Sequence, residues 1–254
     1  MITVITPTGD RPLAFSLLRK WISNQTIKPD QHIIVDDGKI PMQIEDLQSY
    51  EFYIRREPLA SDPKHTLVVN IKTALEDIKT VENNKIIICE DDEYYAPNYI
   101  FTMAKKLEDY QIVGITCAKY YHLPTGGYEQ HKNIQHASLA ETAFQSSFLP
   151  IVGRCIDKGM EQRWLDDNIW REVLGKKISH DLFLDKEQSL YCGIKGLPGR
   201  FGIGIGHNPK VYKKHDDIQR SKLKEWIPND YQYYLNVLAN WDSPYPENCR
   251  KVRL

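Results

Sequence analysis

The sequence predicts an α/β protein in which a mainly parallel twisted sheet carries helices on both faces. Two observations lead there. Strand-like apolar runs alternate with segments of helical period, and the central runs are apolar without interruption, as strands covered on both sides require. Ile2, Val4 and Ile5 form the first run, which stops at Pro7-Thr8-Gly9. Asp10 or Arg11 is placed to cap a helix that accepts Pro12 in its first turn and repeats Leu13, Leu17, Leu18, Trp21 and Ile22 at helical spacing. Ile33-Ile34-Val35 completes a β-α-β unit and ends in the turn signal Asp36-Asp37-Gly38. A second helix is expected from Thr66, with Leu67, Ile71, Ala74, Leu75 and Ile78 on one face, and it leads into the buried strand Ile86-Ile87-Ile88-Cys89. Pro97 opens a helix through about Asp109, and Ile112 to Cys117 reads as a further strand. Past Ala118 the periodicity fades, so Tyr120 to Gln145 reads as an irregular insertion or a loop ordered by binding. Order returns near Trp164, with a helix that starts at Asp166 or Asp167 and stops at Gly175, followed by a strand from Ser189 to Ile194.

Composition narrows the class of function. Apolar residues make up 41% of 254, which excludes a disordered chain, and 33 basic against 34 acidic side chains leave no global field to steer an acidic partner. Such a partner must be met by a local patch. The five cysteines are widely spaced and include no C-x-x-C pair, as expected of reduced thiols in a reducing compartment. Met1 to Ile5 lacks a basic region followed by an apolar stretch, and no apolar run approaches the roughly 18 residues of a membrane span. A cytoplasmic location without membrane attachment is the expectation.

Several clusters can carry chemistry. Glu90-Asp91-Asp92-Glu93 follows a buried strand at its C-terminal end, where open α/β sheets bind ligands. The mutual repulsion of four carboxylates is relieved by a divalent cation on oxygen ligands, or by solvation of a plain acidic turn. Gly38 alone satisfies the turn after the second strand, so Asp36 and Asp37 exceed its needs. Lys64 and His65 precede a helix N-terminus, a favoured place for a diphosphate. Asp166 and Asp167 suit both helix capping and a general base. Gly202-Ile203-Gly204-Ile205-Gly206 is not a dinucleotide fingerprint, because the third glycine comes too early and no βαβ unit follows, yet it lets His207 approach an anion closely. His122, His131 and His136 have no zinc spacing. Lys210 to Lys224 carries six basic residues against two aspartates, and Arg250, Lys251 and Arg253 add more; such runs are solvated surface or phosphate contacts.

Four segments taken together, Thr3-Val4-Ile5-Thr6-Pro7-Thr8, Ile34-Val35-Asp36-Asp37-Gly38, Asn70-Ile71-Lys72-Thr73-Ala74 and Ile88-Cys89-Glu90-Asp91-Asp92-Glu93-Tyr94-Tyr95-Ala96-Pro97, resemble the nucleotide-sugar-dependent glycosyltransferases of the GT-A fold, family 2 above all. The resemblance covers residues 1 to about 115 in order and spacing and only patches beyond. It implies one domain, 1–254, with a Rossmann-like sheet, a nucleotide-sugar-binding half (1–118) and an acceptor-binding half (119–254). The implied reaction is hexosyl or pentosyl transfer, with inversion, from a nucleotide sugar (a UDP-sugar by default) to an acceptor hydroxyl. Pro7, Thr8 and Arg11 would touch base, ribose or phosphate, Asp36 or Asp37 would accept from base or ribose, and Lys64 and His65 would meet the diphosphate. The family's metal motif falls on Glu90-Asp91-Asp92, with Asp92 as the ligand of Mn²⁺ or Mg²⁺ and Asp91 on the ribose or a metal-bound water; Glu90 departs from the usual first aspartate. Asp167 is expected as general base with Asp166 as its competitor, and His207 as a further metal ligand.

The basic stretches and the lack of a membrane segment bring in DNA as an acceptor, through a hydroxylated base as in phage-type DNA glycosylation. Two other readings compete. A nucleotidyltransferase also needs metal-binding acids, but Pro7-Thr8-Gly9-Asp10-Arg11 is a poor version of its phosphate loop. A non-catalytic sugar or nucleic-acid binder on a degenerate transferase fold is the third.

Overall fold

The computed structural model describes residues 1–78, 82–159, 165–185, 189–202, 204–212 and 217–240. Its elements follow the alternation expected of an α/β chain. Strand β1 (Ile2–Thr8) runs into helix α1 (Pro12–Ser23), with Arg11 at the N-cap position and Pro12 where a missing amide costs nothing. Then come β2 (Gln31–Asp36), β3 (Glu51–Arg55), α2 (Leu67–Glu76), β4 (Lys85–Ile88), β5 (Glu93–Tyr95) and α3 (Tyr99–Lys106). They are followed by β6 (Ile112–Thr116), β7 (Lys119–His122), β8 (Gly127–Gln130), β9 (Thr142–Gln145), α4 (Leu149–Gly159) and α5 (Leu165–Lys176). Finally β10 (His180–Leu184), β11 (Tyr191–Lys195), α6 (Ser221–Trp226) and α7 (Tyr231–Ala239) complete the described chain.

Seven strands form the central sheet in the order β10-β6-β9-β4-β1-β2-β3, all parallel except β9, which runs antiparallel to both β4 and β6. A smaller sheet has the order β5-β11-β7-β8. Period-two alternation within the continuous apolar runs divides the core. Val4, Ile87, Cys89, Val113 and Ala143 pack on one face with α1, α3 and the smaller sheet, whereas Ile5, Ile86, Ile88, Ile112 and Phe144 pack on the other with α2, α4 and α5. The mixed α/β architecture with helices flanking a mostly parallel sheet is the one the sequence predicts. Among the described residues no helix is long and apolar enough to cross a membrane. Cys89, Cys117, Cys155 and Cys192 are free thiols, and Cys249 lies outside the described residues.

Three local expectations are corrected. The stretch from Tyr120 to Gln145 contains most of the β7–β8 hairpin and all of β9. Its strands are short and rich in tyrosine, threonine and glutamine, so they pair through the backbone without an apolar alternation that betrays them. Helix α5 includes Gly175 and runs to Lys176, because Lys177 takes the left-handed conformation (φ 53°) that a glycine was expected to supply. The last strand is Tyr191–Lys195 rather than Ser189 to Ile194, and Ser189 itself has φ 45°.

Two stability outcomes follow. Ile87 is fully buried on β4 beside Val4, so Ile87→Ala is expected to lower unfolding stability by about 2–5 kcal/mol in urea titration, the usual cost of such a cavity. Burial pushes the Glu51 carboxyl up, but the His32 ring, Arg19 through Nε and Nη2 (2.9 and 2.6 Å) and the Gln48 amide (3.0 Å) together hold it down at about 2. A folded-state value below the unfolded one means stability is full above about 4.5 and is lost as pH falls toward 2. Arg19→Ala should flatten that part of the stability profile.

Candidate active site

The chain order places a crevice at one edge of the central sheet. From β1 the chain moves to β2 and β3 on one side, then returns through α2 to β4 on the other, so β1 and β4 flank a switch point at their C-terminal ends, the usual ligand position in such sheets. A cleft of about 1100 Å³ opens there. Its walls are the turn after β1, the start of α2, the acidic segment after β4, residues around His136 and Ser138, the first turn of α5, and the loop 200–212.

The acids are held where the two sheets meet. Segment 89–92 carries the chain from β4 in the large sheet to β5 in the small one, anchored by Cys89 N–H donating to Ile5 O (2.9 Å) and Ile194 N–H donating to Asp92 O (3.1 Å). Asp91 accepts from the Thr8 hydroxyl (2.8 Å) and from Arg11 Nη1 (2.7 Å). Asp92 Oδ2 has three neighbours: His207 Nε2 at 3.0 Å, Lys195 Nζ at 3.3 Å and Arg11 Nη1 at 3.3 Å. Lys195 also pairs with Glu93 Oε1. Burial pushes every one of these carboxyls upward. For Asp92 the cations Lys195 and Arg11 win, holding it well below the usual carboxylate range. For Glu93 burial wins, and for Glu90 burial together with the charge of Asp92 raises the carboxyl to about 7. Burial alone would lower Arg11, yet Asp91 and Asp92 raise it, and Lys195 is raised in the same way by Asp92 and Glu93. The site therefore keeps Asp92 ionised.

This arrangement fits a divalent cation. Oxygens of Glu90, Asp92 and Glu93 lie within 4.8 Å of one another, and the buried Glu93 Oε2 has no hydrogen-bond partner among the described residues. Burial lowers His207, favouring the neutral imidazole that ligates metals. Such a group of carboxylate oxygens could hold a divalent cation. The loop requires glycine to bring His207 in: a Cβ on Gly202 would sit 2.0 Å from His207 Nε2.

Of the residues expected to bind the donor, Pro7, Thr8, Arg11, Lys64, His65 and Asp91 line the cleft, as do Asp92 and His207. Asp36 and Asp37 are absent from that lining. Asp36 is fully buried and accepts from the amides of Gly38 and Met42 (both 2.8 Å) and from the Tyr53 hydroxyl (2.7 Å), so its carboxylate braces the turn. Asp37 is held behind the wall by Arg56 (2.9 Å) and Arg200 (2.7 Å). Asp36 thus serves the turn itself, and Asp37 serves internal ion pairs. At the start of α5, Asp166 lines the cleft with its side chain 20% exposed, whereas Asp167 is outside the lining and 43% exposed. Trp164 lies outside the described residues.

The basic segment is less available than its composition implies. Arg220 is buried, donating to the Tyr121 hydroxyl (3.1 Å), and Lys222 pairs with Glu225 at the surface. Residues 213–216 and 241–254, with Lys213, Lys214, Arg250, Lys251 and Arg253, lie outside the described residues.

Sequence reasoning missed Lys195, Arg200 and the contact of His136 with Asp166. Lys195 had a signal, a cation closing the buried run Tyr191-Cys192-Gly193-Ile194. Arg200 and His136 had none, because their partners Asp37 and Asp166 are distant in sequence.

No protein-family model and no curated protein matches the chain. Among solved structures it is similar to the crystal structure of Rv0371c from Mycobacterium tuberculosis H37Rv, at 10% identity and a TM-score of 0.42, over 72% of this chain and 87% of that one.

Lys195 sits among buried carboxylates, and its removal strands their charge. Lys195→Met in EDTA is expected to lose about 3–5 kcal/mol of stability by urea unfolding, the scale of a broken buried pair.

Proposed function

We propose that this chain is a glycosyltransferase of the GT-A type, which moves a sugar from a nucleotide sugar, UDP-linked by default, to an acceptor hydroxyl. The observation that carries the reading is the meeting of two acidic groups on one cleft: Asp91 and Asp92 from the end of β4, and Asp166 from the start of α5. Their roles divide by environment. The first group is buried among cations, and the second is part-exposed beside open space where an acceptor can enter.

The donor lies along the turn after β1, with its diphosphate toward the N-terminus of α2, where Lys64 and His65 and the free amides favour negative charge. Asp92 and His207, with Glu90 and Glu93 adjacent, would hold Mn²⁺ or Mg²⁺, and the bound ion would supply Lewis-acid neutralisation of the departing diphosphate. Arg11 adds fixed positive charge on the same side. Asp166 takes the proton from the acceptor hydroxyl as its oxygen bonds to the anomeric carbon; the bond from that carbon to the phosphate oxygen breaks, and its electron pair leaves on the nucleoside diphosphate. A single displacement of this kind inverts the anomeric centre.

The donor half is tested by thermal shift of nucleoside diphosphates and their sugars with and without Mn²⁺, since a ligand bound only by the folded chain raises its melting temperature. A metal-dependent shift that Asp92→Asn abolishes is expected; a shift indifferent to metal and to Asp92→Asn would sink the assignment. Asp166→Asn should keep the shift and lower kcat by about 10²–10⁴-fold. The acceptor screen includes hydroxymethylated duplex DNA, for which salt-sensitive binding and transfer of labelled sugar are the expected result.

A further inference from the structure

We infer that His136 is a positioning residue for the Asp166 base, an assignment that rests on the transferase reading above. His136 lies on the segment between β8 and β9 and lines the same cleft as Asp166. Its Nε2 is 3.1 Å from Asp166 Oδ2 and 3.5 Å from Asp167 Oδ1, and its Nδ1 is 3.2 Å from the Asn133 side-chain nitrogen. Both ring nitrogens are therefore engaged. That distinguishes His136 from a general base, which needs one nitrogen facing the substrate. In the neutral ring, Nδ1 accepts from the Asn133 amide and Nε2 donates to Asp166 Oδ2.

The other oxygen of Asp166 is also fixed, since Oδ1 accepts from the Asp167 amide at 3.0 Å. With one bond from its own helix turn and one from His136, each carboxylate oxygen is held by one donor, and each keeps capacity to accept a further proton donor. A carboxylate held by one bond alone can rotate about its last torsion, and an ångström of misplacement costs about 10²-fold in rate. Charge points the same way. Burial lowers His136, but Asp166 and then Asp167 outweigh it and raise the imidazole above its ordinary value. The acidic groups facing this pair are Asp167 on α5 and Glu90 across the cleft, the latter with its carboxyl raised to about 7, while Asn133 on its own segment is neutral.

The test uses the full chain with two variants and two readouts. His136→Ala should lower kcat by about 10²-fold while leaving the KM for the donor and the metal-dependent thermal shift unchanged. His136→Gln, which keeps a donor toward Asp166, should recover at least about tenfold of that loss. Independently of activity, the His136 ring, identified in NMR spectra by its absence in His136→Gln, should titrate above the ordinary histidine value and fall in Asp166→Asn. Equal kcat in His136→Ala and parent, or no rescue by His136→Gln, overturns the positioning role while leaving the transferase reading intact. A parent chain that shows the NMR coupling but transfers no sugar overturns the transferase reading, and the role with it.

Discussion

The Asp92 carboxylate is the constraint on which the site depends. One oxygen is shared by a lysine from β11, an arginine from the start of α1 and a histidine from the loop beyond β11, so three separate parts of the chain converge on a single buried negative charge. Taking that charge out of water is unfavourable unless it is paired, and His207 supplies one of the pairings from the segment beyond β11. Arg200 adds further ties from that segment: its amide donates to Asp10 O (3.0 Å), its carbonyl accepts from Arg11 Nε (2.6 Å), and its guanidinium reaches Asp37 (2.7 Å).

The two acidic clusters of the cleft have opposite environments. Asp91 and Asp92 are buried and braced by cations, whereas Asp166 sits at a helix start with a histidine on one side and open space on the other. Two sets of carboxylates with unlike surroundings can serve unlike chemical tasks, one steadying charge and the other moving a proton.

Much of the scaffold was legible from periodicity. β1, α1, β2, α2, β4, α3 and β6 each bury a regular apolar pattern, so burial wrote itself into the sequence. The strands β7, β8 and β9 did not show it, because each buries at most two apolar side chains, such as Tyr121 in β7 and Ala143 and Phe144 in β9, among polar neighbours, too few to make a pattern. In the site, the acid run after β4 was legible from its position at a strand end, and His207 from the glycines before it. The fate of Asp36 and Asp37 was not, since their partners Tyr53, Arg56 and Arg200 are brought in by tertiary structure alone. The same limit concealed His136, which meets Asp166 across a span of 30 residues.

Helix α7 returns to the first helix of the chain. The Trp21 indole donates to the Tyr234 hydroxyl (3.1 Å), and the Tyr94 hydroxyl donates to Asp230 (2.8 Å), within one apolar cluster that also takes in Leu223, Trp226 and Val237. During synthesis, then, the ribosome must release residues 221–239 before Trp21 and Tyr94 find cover. Until that moment Trp21 and Tyr94 have only each other and the rest of their cluster for cover, and a chain cut before α6 would lose the indole's and the phenol's hydrogen-bond partners together.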